Sequence, residues 1–256
     1  MKNRIILALC LAAIPAVTVA QPRGGRGGGF KPLEGPAPKN PWDKPDFNGV
    51  WQRPYVADVT RDFGPSQNGS GELPYTEWGK AQWENYHAED GDYTGSCLPF
   101  GYMRSVNSPD PMQIVQTDKV VSFLWEQNTW FKVFPIDGRP HGKKVPTWFG
   151  DSVGHWEGDT LVVDTTNFNG LTKLDTAGHP HSDQLHLTER YTRTDAGHIA
   201  YEVTVDDPKT YTRPWKNTRI FTLRPDWEIL EYSCEENNKG LIEGRIKVPN
   251  FDGPKK

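Results

Sequence analysis

Residues 185–206 read LHLTERYTRTDAGHIAYEVTVD. Two runs alternate about a Thr194-Asp195-Ala196-Gly197 turn. In the first, Leu185, Leu187, Glu189, Tyr191 and Arg193 fall on one side, and His186, Thr188, Arg190 and Thr192 on the other. In the second, Ile199, Tyr201, Val203 and Val205 oppose His198, Glu202 and Thr204. A period of two places successive side chains on opposite faces of a strand. So short a turn makes the two strands antiparallel. This hairpin sets the class as mainly β.

The same pattern extends both ways. Upstream it predicts strands at Gln113–Gln116, Val120–Gln127, Trp130–Pro135, Asp151–Glu157 and, across Gly158-Asp159, Thr160–Phe168. Downstream, Thr218–Arg224 turns at Pro225-Asp226 into Glu228–Glu235, where Leu230, Tyr232 and Cys234 oppose Ile229, Glu231 and Ser233. About eight consecutive strands predict an antiparallel up-and-down β-barrel, or failing that a sandwich, over residues 112–250, because closure removes exposed edges. Residues 41–111 are rich in Pro and Gly and predict an irregular wrapping arm. The arm carries a short strand near Gly49–Gln52 and one helix, Thr76 to Ala88, with Thr76 as N-cap and Trp83 and Tyr86 on one face. Two arrangements satisfy the strand faces. Either the apolar faces fill the barrel and the charged faces meet solvent, or the arm covers the outside and the interior is a polar cavity.

The chain opens on basic Met1-Lys2-Asn3-Arg4, an apolar run from Ile5 to Val17 broken by Pro15, and small residues up to Ala20. This order predicts a signal peptide over residues 1–20 and a periplasmic or secreted product. The run is shorter than the about 20 residues a membrane span needs, so no stable membrane insertion is expected. Residues 21–40 read as a disordered Gly/Pro-rich leader and 251–256 as a disordered tail. Without Lys2 and Arg4, 27 basic residues face 33 acidic ones, a balance that argues against nucleic-acid binding. Cys10 leaves with the signal. Cys97 and Cys234 remain as an even pair, most simply one disulfide, with no Cys-x-x-Cys spacing to favour redox or metal chemistry. There is no phosphate-binding Gly loop, nucleotide fingerprint or Gly-x-Ser-x-Gly elbow. The expected partner is a small molecule.

The densest chemistry is His179-Pro180-His181-Ser182-Asp183, in a loop before a strand. His-x-His can present two nitrogens to one divalent metal, with Asp183 as third ligand or orienting group. Alternatively, one histidine and Asp183 form an acid/base pair, or the segment is a surface loop whose Ser182 and Asp183 cap backbone groups. The connection Asp206 to Trp215 offers Tyr211, Arg213 and Trp215 as groups to orient and stack on a ligand, or else an Arg stacked on Trp that closes one end of the barrel. His141, in the polar loop Asp137-Gly138-Arg139-Pro140-His141, either joins the histidine loop or stays in a solvent turn.

Ser152 to Val163 (SVGHWEGDTLVV), His179 to Asp183 (HPHSD), Asp206-Asp207-Pro208 with Tyr211 to Trp215 (YTRPW), and Glu231 to Asn238 (EYSCEENN) resemble a group of uncharacterised secreted bacterial proteins. The resemblance covers most of the chain after the signal and brings no activity with it. Gly49-Val50-Trp51 is similar to the Gly-x-Trp start of calycin-type barrels, which implies the same barrel.

The expectation that follows is a small-molecule enzyme of lyase or hydrolase type. His179, His181 and Asp183 would do acid/base work on an oxygenated or sugar-derived substrate, with His141, Tyr211, Arg213 and Trp215 binding it. Two other classes compete: a non-catalytic calycin-like ligand-binding barrel, and a mononuclear metal protein with a divalent ion at His179 and His181.

Overall fold

The computed structural model describes residues 29–245 apart from 63, 88–91, 143–144 and 237. The expected signal peptide, the start of the leader and the tail lie outside the described residues. The described residues from Pro32 onward belong to one compact unit.

Ten strands form the sheet: β1 (Gly49–Gln52), β2 (Gln67–Asn68), β3 (Met112–Gln116), β4 (Val120–Trp125), β5 (Phe131–Pro135), β6 (Asp151–Glu157), β7 (Thr160–Thr166), β8 (His186–Arg193), β9 (His198–Asp206) and β10 (Trp215–Leu223). Their order is β5-β4-β3-β1-β10-β9-β8-β7-β6, with β2 also paired to β10. Each pairing between them is antiparallel. The two ends of the sheet meet where Gly138 N–H, just past β5, donates to Gly154 O of β6 at 2.9 Å. Gly154 allows the approach, because a Cβ there would lie 3.0 Å from Ile136 Cγ2. The result is the expected mainly-β, near-barrel antiparallel sheet of calycin-like type, with a few short helices. Among the described residues no helix is long and apolar enough to cross a membrane.

The hairpin that set the class forms in the expected register, with Glu189 opposite Val203 and Tyr191 opposite Tyr201. At the β6–β7 turn Gly158 takes φ +60°, the conformation a two-residue hairpin turn asks of glycine. The apolar faces point inward: Leu187, Tyr191, Ile199, Tyr201, Val203, Val205 and Phe221 are buried with Trp51, Phe123, Trp125 and Phe134. Of the two arrangements the sequence allowed, the one with inward apolar faces forms, and Arg219, Lys132 and Glu189 are buried with them. Glu189 follows its face inward and is fully buried.

Three differences follow from strand pairing and packing. Glu228–Glu235 forms no strand. The free edge of β10 is taken by β1, with Trp51 opposite Leu223, and by β2, with Asn68 opposite Thr218. The arm thus completes the barrel rather than only wrapping it. The C-terminal segment instead crosses the end of β4, where Leu230 N–H donates to Glu126 Oε2 and Cys234 N–H to Asn128 Oδ1. Second, part of the expected leader is bonded to the β8–β9 turn, with Ala196 N–H donating to Gly35 O at 2.9 Å. Third, the expected helix is α1 (Glu77–Glu84), joined by α2 (Tyr102–Asn107) and α3 (Lys239–Ile242). Thr76 caps α1 as expected, its hydroxyl accepting from Gly79 N–H. The residues of α2 are all buried, and Gly101 starts it at φ +81° where any Cβ would strike Thr172. Cys97 and Cys234 form the expected disulfide, their Cα atoms 5.5 Å apart.

Candidate functional site

The site sits at one mouth of the barrel and starts from Asp175. Its carboxylate is fully buried and takes four hydrogen bonds. Oδ1 accepts from the N–H groups of Gly178 and His179; Oδ2 accepts from Val59 N–H at 2.7 Å and faces His179 Nδ1 at 2.6 Å. Because a carboxylate only accepts, Nδ1 carries the proton and His179 Nε2 is left to act. Gly178 makes the turn possible: it lies at φ +96°, and a Cβ would be 1.9 Å from the Tyr86 ring.

Helix α1 closes over this loop. Gly79 lets α1 approach the 207–211 connection, since a Cβ there would lie 2.2 Å from Thr210 O. The Thr76 hydroxyl donates to Lys209 O at 2.7 Å. So docked, α1 stacks Trp83 on His179, with ring centroids 4.1 Å apart and planes 6° from parallel. His179 Nε2 faces Asp58 Oδ1 at 3.8 Å. Burial pushes the Asp58 carboxyl up, but hydrogen bonds from Thr60 and the nearby His179 and Arg61 bring it below its ordinary value.

A cleft of about 780 Å³ opens over these groups, its wall including Asp58, Thr60, Tyr75, Trp83 and His179. The Tyr75 hydroxyl is buried and finds no hydrogen-bond partner among the described residues. Burial, with Asp175 and Asp58 nearby, holds its pKa well above the usual phenol value, so it remains a donor at neutral pH. Asp58, Asp175 and His179 offer ligand atoms within 4.8 Å of one another. A buried Asp/Asp/His cluster beside a cleft in a β-sheet protein is suited to acid–base or metal-associated chemistry.

The structure separates the residues read from the HPHSD segment. His179 lies in the site. His181 does not: it is buried, Nδ1 donates to Ser182 O at 2.9 Å, and Nε2 therefore accepts from the Thr172 hydroxyl at 2.7 Å. Burial lowers its pKa. Asp183 is exposed and lies 3.8 Å from Lys209, so the orienting carboxylate is Asp175. The two expected loops do meet: Tyr211 donates to Pro180 O at 2.7 Å and stacks on Tyr75, while Asp207 accepts from Ser182 N–H and Oγ. Tyr211 and Asp207 make that junction. Arg213 is exposed and outside the cleft wall, and Trp215 is buried inside β10.

His141 belongs to a different group on the outer wall. Its Nδ1 faces Asp151 at 3.1 Å and its Nε2 faces Asp164 at 2.7 Å; Asp164 also faces His186 Nε2 at 2.5 Å. The short bond to Asp164 raises the His186 pKa against the effect of partial burial.

The sequence reading missed Asp58, Asp175 and Tyr75. Asp175 does stand four residues before His179, but that spacing carries meaning on a helix and this segment is a loop. No family model, curated protein or solved structure matches the chain.

Proposed function

We propose that the protein is a mononuclear metal-binding protein whose cation sits between His179 Nε2 and Asp58, at the floor of a cleft that admits a polar small molecule. The observation that supports this reading is the convergence of Asp58, Asp175 and His179. A cation about 2.1 Å from each ligand atom fits between a nitrogen and an oxygen 3.8 Å apart. Asp175 is the outer carboxylate that fixes the imidazole tautomer and orientation, a partner common to metal-bound histidine. Water or an oxygenated ligand completes the coordination, with Tyr75 as a donor to it. The Cys97–Cys234 disulfide supports an extracytoplasmic setting for this chemistry.

The test is calorimetric titration of the full chain with zinc and manganese after chelator treatment, together with elemental analysis. His179→Ala and Asp58→Asn abolish binding, and Asp175→Asn weakens it about 10- to 100-fold. Less than about a tenth of an equivalent bound by the wild type after loading would reject the reading.

A second reading is favoured by one feature: the buried Tyr75 hydroxyl, with no hydrogen-bond partner among the described residues, lines the same cleft as His179. His179 then works without metal as a general base held by Asp175, with Tyr75 as proton donor, in a lyase or hydrolase reaction on an oxygenated or sugar-derived molecule. Turnover that survives chelation, is lost in His179→Ala and has an acid limb that moves in Asp175→Asn would select this reading over the first.

A further inference from the structure

Three cationic side chains and the Glu189 carboxylate are buried in the barrel lumen. Arg53, Lys132 and Arg219 are 2%, 6% and 1% exposed, and Glu189 is 0% exposed. The Glu189 carboxylate is engaged by tyrosines: Tyr201 donates to it at 2.8 Å, Tyr191 at 2.9 Å and Tyr102 at 2.8 Å. Lys132 donates to Phe149 O at 2.7 Å, lies over the Tyr102 ring, and has Glu189 and Asp151 for counter-charges. Arg53 donates from Nη1 to Ser105 O and from Nη2 to Asp110 O.

Arg219 differs from both. Tyr201 and Glu189 lie near enough to favour its charge, but Nε, Nη1 and Nη2 make no contact of hydrogen-bond geometry among the described residues. Its guanidinium lies over the Tyr201 ring, 5.2 Å from the centroid, and that contact uses its face and leaves the N–H edge open. Arginine keeps its proton in proteins, so burial cannot neutralise it as it can a lysine. The Arg53 Nε is open as well, and Arg219 is near enough to depress the Arg53 pKa. Glu189 is shared between Arg219 and Lys132 and already accepts from three tyrosines, so the unused donors of Arg219 in a low-dielectric interior call for a further negative partner.

We propose that the lumen contains an anion-binding site in which the N–H edge of Arg219 holds a small monovalent inorganic anion of halide size. Water can fill donor positions but cannot offset the charge; an anion does both. Such a site is separate from the His179 cleft, whose wall includes neither Arg219 nor Arg53.

Two experiments on the full chain decide it. In crystals grown with sodium bromide, an anomalous map at the bromine edge should show a peak within hydrogen-bonding distance of Arg219. Water alone at that position overturns the proposal. In solution, melting temperature at constant ionic strength should rise as chloride replaces gluconate, by about 3 to 6 degrees per tenfold increase above half-saturation. Arg219→Met should lose that response. A wild type indifferent to chloride, or an Arg219→Met protein with the same response, overturns the proposal; if Arg219→Met does not fold, the bromide map decides alone.

Discussion

His179 and His181 are two residues apart and alike in the sequence, yet their partners give them opposite roles. His181 spends both ring nitrogens on Ser182 and Thr172, whereas His179 spends one on Asp175 and keeps the other for the cleft. The sequence could show that imidazoles gather here. It could not show which would stay open, because Asp58, Trp83 and Tyr75 reach the site only through tertiary packing of the arm. Gly178 ties the residue scale to the site. Its φ of +96° and the Tyr86 ring 1.9 Å from a would-be Cβ give two separate reasons against any side chain. Gly178→Ala should therefore destabilise the protein by about 2 to 4 kcal/mol through backbone strain plus overpacking. Urea denaturation measures this, and a loss below about 0.5 kcal/mol would show that the loop rearranges freely.

At the scale of elements, legibility followed local period. The β6–β7 and β8–β9 hairpins read directly, since alternation and turn residues sit together in the chain. Glu228–Glu235 alternates equally well but forms no strand, because β1 and β2 already occupy the β10 edge. Pairing between segments some 170 residues apart leaves no mark on a local pattern. The C-terminal segment is fastened by the Cys97–Cys234 bridge, which spans 137 residues of sequence. By the chain-entropy argument a closed loop of that length contributes up to roughly 4 to 5 kcal/mol. The Cys97→Ser/Cys234→Ser double variant should lose about 3 to 5 kcal/mol in guanidinium denaturation. An unchanged midpoint would mean that the crossing over Glu126 and Asn128 holds the segment without the bridge.

For the whole molecule, the decisive feature is a barrel filled by apolar side chains around a small ionised centre. Part of this was visible in advance, since Glu189 stands on the apolar face of its strand. The tyrosines that bond it come from α2, β8 and β9, and Lys132 comes from β5, so the centre exists only once the sheet closes. Burial pushes the Lys132 ammonium down to about 7, against the pull of Glu189 and Asp151. In the unfolded chain a lysine titrates near 10.4. Between these values the unfolded state binds more protons than the folded one, so stability must rise with pH across that window. It is lowest, for this group, below pH 7 and fully recovered only above about 10. The slope approaches about 1.4 kcal/mol per pH unit in mid-window, so wild-type protein should gain about 1.5 to 2 kcal/mol between pH 7.5 and 9. Lys132→Met keeps the buried stem and removes the proton site, so its stability should be flat over the same range. Urea denaturation of both proteins at the two pH values gives the comparison directly. Parallel slopes would place the titrating group elsewhere and show that Lys132 keeps its charge through its bond to Phe149 and its seat on the Tyr102 ring.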